Sequence, residues 1–143
     1  MHIHHPETPF YHCVAGKIHP GMKIEVYGKV KHGCHQSFTV ELVSGPTIVL
    51  HMNPRFGYGG CHELVMNSNI GGCWGHEERH HNPFHHGDHF DLKIKVHESH
   101  YDITVNGCHV CHFHHRMSPF TVDGLRIHGD VKIEDIHLHH HHC

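Results

Sequence analysis

The chain has no apolar run approaching the roughly 20 residues that a membrane-spanning helix requires, and Met1-His2-Ile3-His4-His5-Pro6 lacks the apolar core of a secretory signal. A soluble chain without membrane insertion is the expectation. Charge is scarce as well: Asp, Glu, Lys and Arg make up 17 % of the residues, against about 25 % in an average protein. A net charge of −3 with a pI near 6.8 argues against a general nucleic-acid binder, which carries a basic stripe. There is one tryptophan, and no convincing amphipathic helix. Large internal repeats are missing. At 143 residues the chain is long enough for one full two-layer core and leaves no room for a second domain of usual size.

Histidine fills the gap left by the other polar residues, with 27 in the chain. Most fall in expected turns or at polar strand positions, such as His32, His35, His80, His81, His85, His86 and His89. The apolar positions are spared, so the pattern describes a strongly biased surface on an ordinary core. Because histidine charges as pH falls below about 6.5, this surface gains positive charge steeply in mild acid. Seven cysteines are too few for a disulfide scaffold, and an odd count leaves at least one thiol free or paired between chains.

Period-two alternation dominates the rest. Met22 to Val26, Ser37 to Leu42, Phe90 to Val96 and Tyr101 to Val105 all alternate cleanly, and Asn106-Gly107 is a strong hairpin signal leading into Cys108 to His114. Gly28 to His35 reads as a loop, and Met117 to Val122 as the one short helical turn. About ten short strands without a helix argue for an all-β antiparallel β-sandwich. Residues 1–7 read as a loose N-terminal arm, 8–138 as one domain, and 139–143 as a His/Cys tail outside the fold.

The stretch from Ile48 to Arg79 carries the chemistry. Strand alternation puts His51, Asn53 and Arg55 on one face while Leu50 and Met52 point to the other. Glu63 to Asn67 repeats the arrangement, with Asn67 outward and Leu64 and Met66 inward. Gly71-Gly72 then turns the chain into Trp74-Gly75-His76-Glu77-Glu78-Arg79. Amide, imidazole, guanidinium and carboxylate groups at fixed positions can each match closely spaced hydroxyls. A flat indole beside them covers the C–H face of a sugar ring. The set suits a carbohydrate.

At His51-x-Asn53-Pro54-Arg55, Val65-x-Asn67 and Trp74-Gly75-x-Glu77-x-Arg79 the sequence resembles the galectins, the β-galactoside-binding lectins, and the similarity covers roughly residues 8 to 138. The resemblance sharpens the fold to a two-sheet jelly roll with a sugar groove across one sheet. It implies that His51, Asn53 and Arg55 take the axial 4-hydroxyl of galactose, Asn67 and Glu77 the 6-hydroxyl, and Trp74 the apolar ring face. Arg55, Glu77 and Arg79 would reach the neighbouring sugar. His51, His109 and His115 stand where that pattern itself can carry histidine. The resemblance further implies lactose or N-acetyllactosamine-type glycans as partners, no required cofactor, reduced cysteines and a cytoplasmic fold with export independent of a signal peptide. Family members often dimerise through sheet edges, so a homodimer is among the expected assemblies.

Two rival classes are weighed against it. No nucleophile elbow, paired catalytic motif or cofactor loop is recognisable, and the arginines bracketing Glu77 suit an acceptor carboxylate rather than the proton donor that glycoside hydrolysis needs; the expectation is a protein that is not an enzyme. Metal is the other rival. Strict alternation sets His112 and His114 on one face of their strand and His109 and Cys111 on the other, and pairs at i, i+2 chelate zinc, nickel or copper when a third ligand is near. A histidine- and cysteine-rich surface serving divalent metal binding or metal-linked assembly is the alternative reading. The Cys108–Cys111 spacing adds little, because three residues along a regular strand point to opposite faces.

Overall fold

Thirteen strands, all paired antiparallel, form two sheets in the computed structural model, which describes residues 1–140. In chain order they are β1 (His2–His4), β2 (Phe10–Cys13), β3 (Met22–Val30), β4 (Phe38–Ser44), β5 (Thr47–Pro54), β6 (Leu64–Ile70), β7 (Cys73–Trp74), β8 (Glu78–His80), β9 (His89–Val96), β10 (His100–Val105), β11 (Cys108–His114), β12 (Gly124–Gly129) and β13 (Val131–His140). One sheet runs β1-β13-β3-β9-β10-β11. The other runs β2-β12-β4-β5-β6-β7, with β8 also on β6. The expected all-β jelly-roll sandwich is what the chain adopts.

Alternation decides what the sandwich buries. On β9, Phe90, Leu92, Ile94 and Val96 enter the core while Asp91, Lys93 and Lys95 stay outside. Each such side chain contributes about 1.5–3 kcal/mol when fully removed from water. Phe38, Phe84 and Phe90 close one end of the core, with Phe38 stacked on Phe90 at 5.5 Å and edge-on to Phe84 at 5.1 Å. The β10–β11 hairpin turns at Asn106 (φ 52°) and Gly107 (φ 81°), two successive left-handed residues as a tight primed turn requires. Asn106 Oδ1 also accepts a hydrogen bond from the Asp91 backbone N–H at 2.9 Å, which ties the turn to β9.

Four local expectations give way. The N-terminal arm is not wholly loose, because His2–His4 pairs with β13 in the register His2↔His137, Ile3↔Ile136 and His4↔Asp135. At the other end His139 and His140 continue β13 against Lys23 and Met22; the rest of the expected tail, residues 141–143, lies outside the described residues. Gly28 belongs to β3 rather than to a loop. A Cβ there would come within 2.7 Å of the Lys132 carbonyl oxygen and 2.8 Å of the Phe90 ring, so this glycine answers a close approach, not a turn. On β11 the pairing passes from Ile103↔Cys111 to Thr104↔His109, a β-bulge with Val110 as the extra residue. Strict alternation does not survive it: Cys111 points inward, and His109 shares the outer face with His112.

Candidate carbohydrate-binding groove

Register across the seven-stranded sheet assembles the site. Arg126 on β12 faces Glu41 on β4, Glu41 faces His51 on β5, and His51 faces Asn67 on β6. Four residues far apart in sequence thus form one row across four strands. A second row runs from Asn53 through Val65 to Arg79, and Arg55 bridges to Ser37 beyond it. Beneath them Leu50, Met52, Leu64 and Met66 face the core and are at most 1 % exposed. A rigid apolar floor therefore fixes where the polar side chains stand.

Above the rows lies a groove of about 550 Å³. His51, Asn53, Arg55, Asn67, Trp74 and Glu77 all line it. Arg79 stands beside Glu77, donating from Nη2 to Glu77 Oε1 at 2.9 Å. All seven residues expected from the sequence are thereby brought together.

Each is held by specific partners. Asn53, only 5 % exposed, donates from Nδ2 to the Phe38 carbonyl at 2.8 Å and to Thr39 Oγ1 at 3.1 Å, and its Oδ1 accepts from Arg55 Nε at 2.8 Å. With both amide hydrogens used, Oδ1 is the atom left with acceptor capacity toward the groove. Asn67 donates from Nδ2 to the Gly75 carbonyl at 2.9 Å. Trp74 is 52 % exposed and meets His51 edge-on with ring centroids 4.9 Å apart. A core tryptophan would not be left half in water; this one is displayed. Arg55 Nη2 lies 3.9 Å from Glu77 Oε2, so Glu77 sits between two guanidinium groups. The guanidinium of Arg55 also lies 5.1 Å from the ring centre of Tyr58, which a short 3-10 turn over Tyr58–Gly60 presents at the groove.

Two residues outside the sequence motif complete the frame. The first is Glu41, whose Oε2 lies 2.6 Å from His51 Nδ1 and whose Oε1 accepts from Arg126 Nε at 2.8 Å. Burial acts to raise the Glu41 pKa, but the His128 imidazole 3.8 Å away and the hydrogen bonds from His51 and Arg126 outweigh it and hold the carboxyl well below the usual range. An ionised Glu41 only accepts, so a neutral His51 carries its hydrogen on Nδ1 and keeps the Nε2 lone pair free as an acceptor. The second is Arg116, which follows β11. Its Nη1 donates to Asn67 Oδ1 at 2.7 Å and Ser68 Oγ at 3.0 Å; its Nη2 donates to the His76 carbonyl at 2.7 Å and Glu78 Oε2 at 3.1 Å. Gly75 makes room for it, since a Cβ would stand 2.9 Å from Arg116 Nη1. Glu41 lies in the outward set of its alternating strand, a faint signal; Arg116 falls in the segment that resembles the closing strands of a galectin, but no spacing there ties it to the groove.

The metal candidates divide. Cys111 is 5 % exposed inside the core cluster, where burial, then the charges of Glu78 and Asp102, push its thiol up to about 12, and it points away from the outer face that carries His109 and His112. His109 and His112 meet around Asp102. His114 is exposed on the same strand. None of the three is near the groove.

An antiparallel sandwich whose one outer face carries a row of amide, imidazole and guanidinium groups beside an exposed indole has the architecture of a carbohydrate-binding lectin domain. Residues 9–138 match the family model for galactoside-binding lectins. The chain belongs to that family, the galectins. It is 44 % identical over 137 residues to the probable galaptin lec-8 of Caenorhabditis elegans, covering 95 % of this chain and 75 % of that protein. Human galectin-4 is 36 % identical over 138 residues, covering 93 % of this chain and 42 % of its own length. The crystal structure of Caenorhabditis elegans galectin LEC-6 superposes with a TM-score of 0.89 at 30 % identity, covering 97 % of this chain and 96 % of that one. Galectins are carbohydrate-binding lectins rather than enzymes and need no cofactor as a family. Among the described residues no helix is long and apolar enough to cross a membrane.

Proposed function

We propose that the groove binds a terminal β-galactoside, of the lactose or N-acetyllactosamine type, without chemical turnover. The observation that carries this reading is the acceptor and donor cluster of His51, Asn53 and Arg55 set beside the exposed face of Trp74. His51 offers Nε2, Asn53 offers Oδ1 and Arg55 offers its remaining N–H groups to one hydroxyl, which both donates and accepts. Placed over Trp74, a galactose ring turns its apolar face to the indole and its axial 4-hydroxyl to that cluster. Glucose carries the same hydroxyl equatorially and leaves the three groups unpaired, a penalty larger than the loss of a methylene contact. Asn67 and Glu77 take the 6-hydroxyl. Glu77, Arg55 and Arg79 extend the polar edge toward the next sugar, and Tyr58 widens it further.

The cysteines support a reducing setting. Cys13, Cys34, Cys61, Cys73, Cys108 and Cys111 are all free thiols, in keeping with a domain that folds in the cytoplasm and meets glycans after export without a signal peptide. One shallow site binds a disaccharide weakly, so useful avidity for glycoconjugates comes from pairing domains, as in a homodimer.

The test is a titration of the reduced, chelator-treated chain with lactose and with cellobiose, followed by the fluorescence of Trp74, the one tryptophan of the chain. The two disaccharides differ only in the orientation of the terminal 4-hydroxyl. A saturable change with lactose and none with cellobiose is expected. Equal responses, or no response to lactose, would overturn the assignment.

A further inference from the structure

On the far side of the sandwich the six-stranded sheet ends at β11, and the bulge there does something specific. Regular pairing would send His109 to the side of Cys111. With Val110 inserted, packed against the core, His109 turns outward and joins His112, the register partner of Asp102 on β10. His109 Nδ1 then lies 3.0 Å and His112 Nε2 3.5 Å from the same Asp102 oxygen, Oδ1. All three donor atoms fall within 4.8 Å of one another.

We propose that Asp102, His109 and His112 bind a divalent ion of the zinc class. Tetrahedral zinc with bonds of about 2.0–2.1 Å to nitrogen and oxygen sets its ligand atoms about 3.3 Å apart, and the separations of 3.0 and 3.5 Å bracket that value. The contact at 3.5 Å is longer than a good hydrogen bond, so simple Asp–His pairing accounts for only one of the two imidazoles. Both rings are braced. His112 stacks on His100 at 4.2 Å and meets His109 edge-on at 4.8 Å, which limits the ordering that metal capture would require. The Asp102 side chain is 19 % exposed while those of His109 and His112 are 55 % and 48 % exposed. The carboxylate forms the seat, the imidazoles close from above, and the fourth position faces solvent and takes water. Two imidazoles and one carboxylate suit zinc, whereas calcium and magnesium demand oxygen-rich shells that this set does not supply.

A second group of the same composition, His2, Asp135 and His137, lies on the opposite edge of the sheet, so a test must separate the two. The full chain, stripped with a chelator, is titrated with zinc chloride by calorimetry in parallel with a His109→Asn/His112→Asn double variant and a His2→Asn/His137→Asn double variant. The first variant is expected to lose one equivalent of bound zinc and the second to retain that equivalent. Melting temperatures in chelator, with both altered side chains about half exposed, establish that the fold is kept. Unchanged zinc stoichiometry and affinity in the first variant would overturn the site. In the unaltered protein, substoichiometric cobalt(II) should broaden the imidazole proton resonances of His109 and His112, with calcium and magnesium leaving them in place. Broadening confined to other histidines would equally overturn it.

Discussion

Glu41 Oε2 and His51 Nδ1 lie 2.6 Å apart, directly opposite one another on β4 and β5. A carboxylate 3 % exposed thereby sets the orientation of the imidazole at the groove surface. Replacing it by glutamine removes a charge-assisted acceptor shared by His51 and Arg126. Glu41→Gln is expected to cost about 1–3 kcal/mol of stability and to weaken lactose binding several-fold, by freeing the His51 ring to take the other tautomer. Denaturant unfolding and the lactose titration check the two effects.

The same carboxyl carries a pH dependence. Its native pKa is depressed from 4.5, so as pH falls below that value the unfolded chain takes up a proton that the native state refuses. Stability from Glu41 is fully present above the unfolded pKa and is lost progressively in acid, down through the depressed native pKa. Urea unfolding measured at neutral pH and at several points below 4.5 should show a steeper acid loss in the parent chain than in Glu41→Gln. Parallel slopes would contradict the assigned coupling.

Trp74 separates binding from folding. Being half exposed, it supports little of the core, and Trp74→Ala is expected to shift stability by no more than about 0.5 kcal/mol. Lactose affinity should nevertheless fall at least tenfold, equivalent to about 1.4 kcal/mol, with Trp74→Phe intermediate. Calorimetric titration is the appropriate measurement, because the fluorophore is gone.

Arg116 acts from behind the groove. Arg116→Met keeps the packing over the Phe113 ring, which the guanidinium approaches to 4.7 Å, but removes donors to Asn67, Ser68 and the His76 carbonyl. A loss of about 1–3 kcal/mol in stability is expected, together with weaker binding of lactose. A variant with wild-type affinity and stability would show that Asn67 holds its position without this tether.

Thiol reactivity should follow burial. Cys13, Cys34, Cys73 and Cys108 are exposed, whereas Cys111 is buried with its pKa pushed up to about 12, which leaves almost no thiolate at neutral pH. Mass spectrometry after brief alkylation of the native chain should find the four exposed thiols modified and Cys111 intact until denaturant is added.

Strand alternation, the Asn106-Gly107 turn and the spacing of His51, Asn53, Arg55, Asn67, Trp74, Glu77 and Arg79 are local properties, and the sequence by itself determined them: the strands that alternate cleanly, which of their sides faces the core, and the common outward face of His51, Asn53 and Arg55. Alternation has no information about the partner strand. That Glu41 would stand opposite His51, that Arg116 would reach Asn67 across 49 positions, and that His2–His4 would extend the sheet were decided by register, which depends on how two hydrophobic faces pack. The bulge at Val110 makes the limit plain. One inserted residue reverses the periodicity on one side of it, so Cys111 goes into the core and His109 comes to rest beside His112 and Asp102. Only the tertiary structure could settle this, because nothing in a period of two records where pairing slips by one.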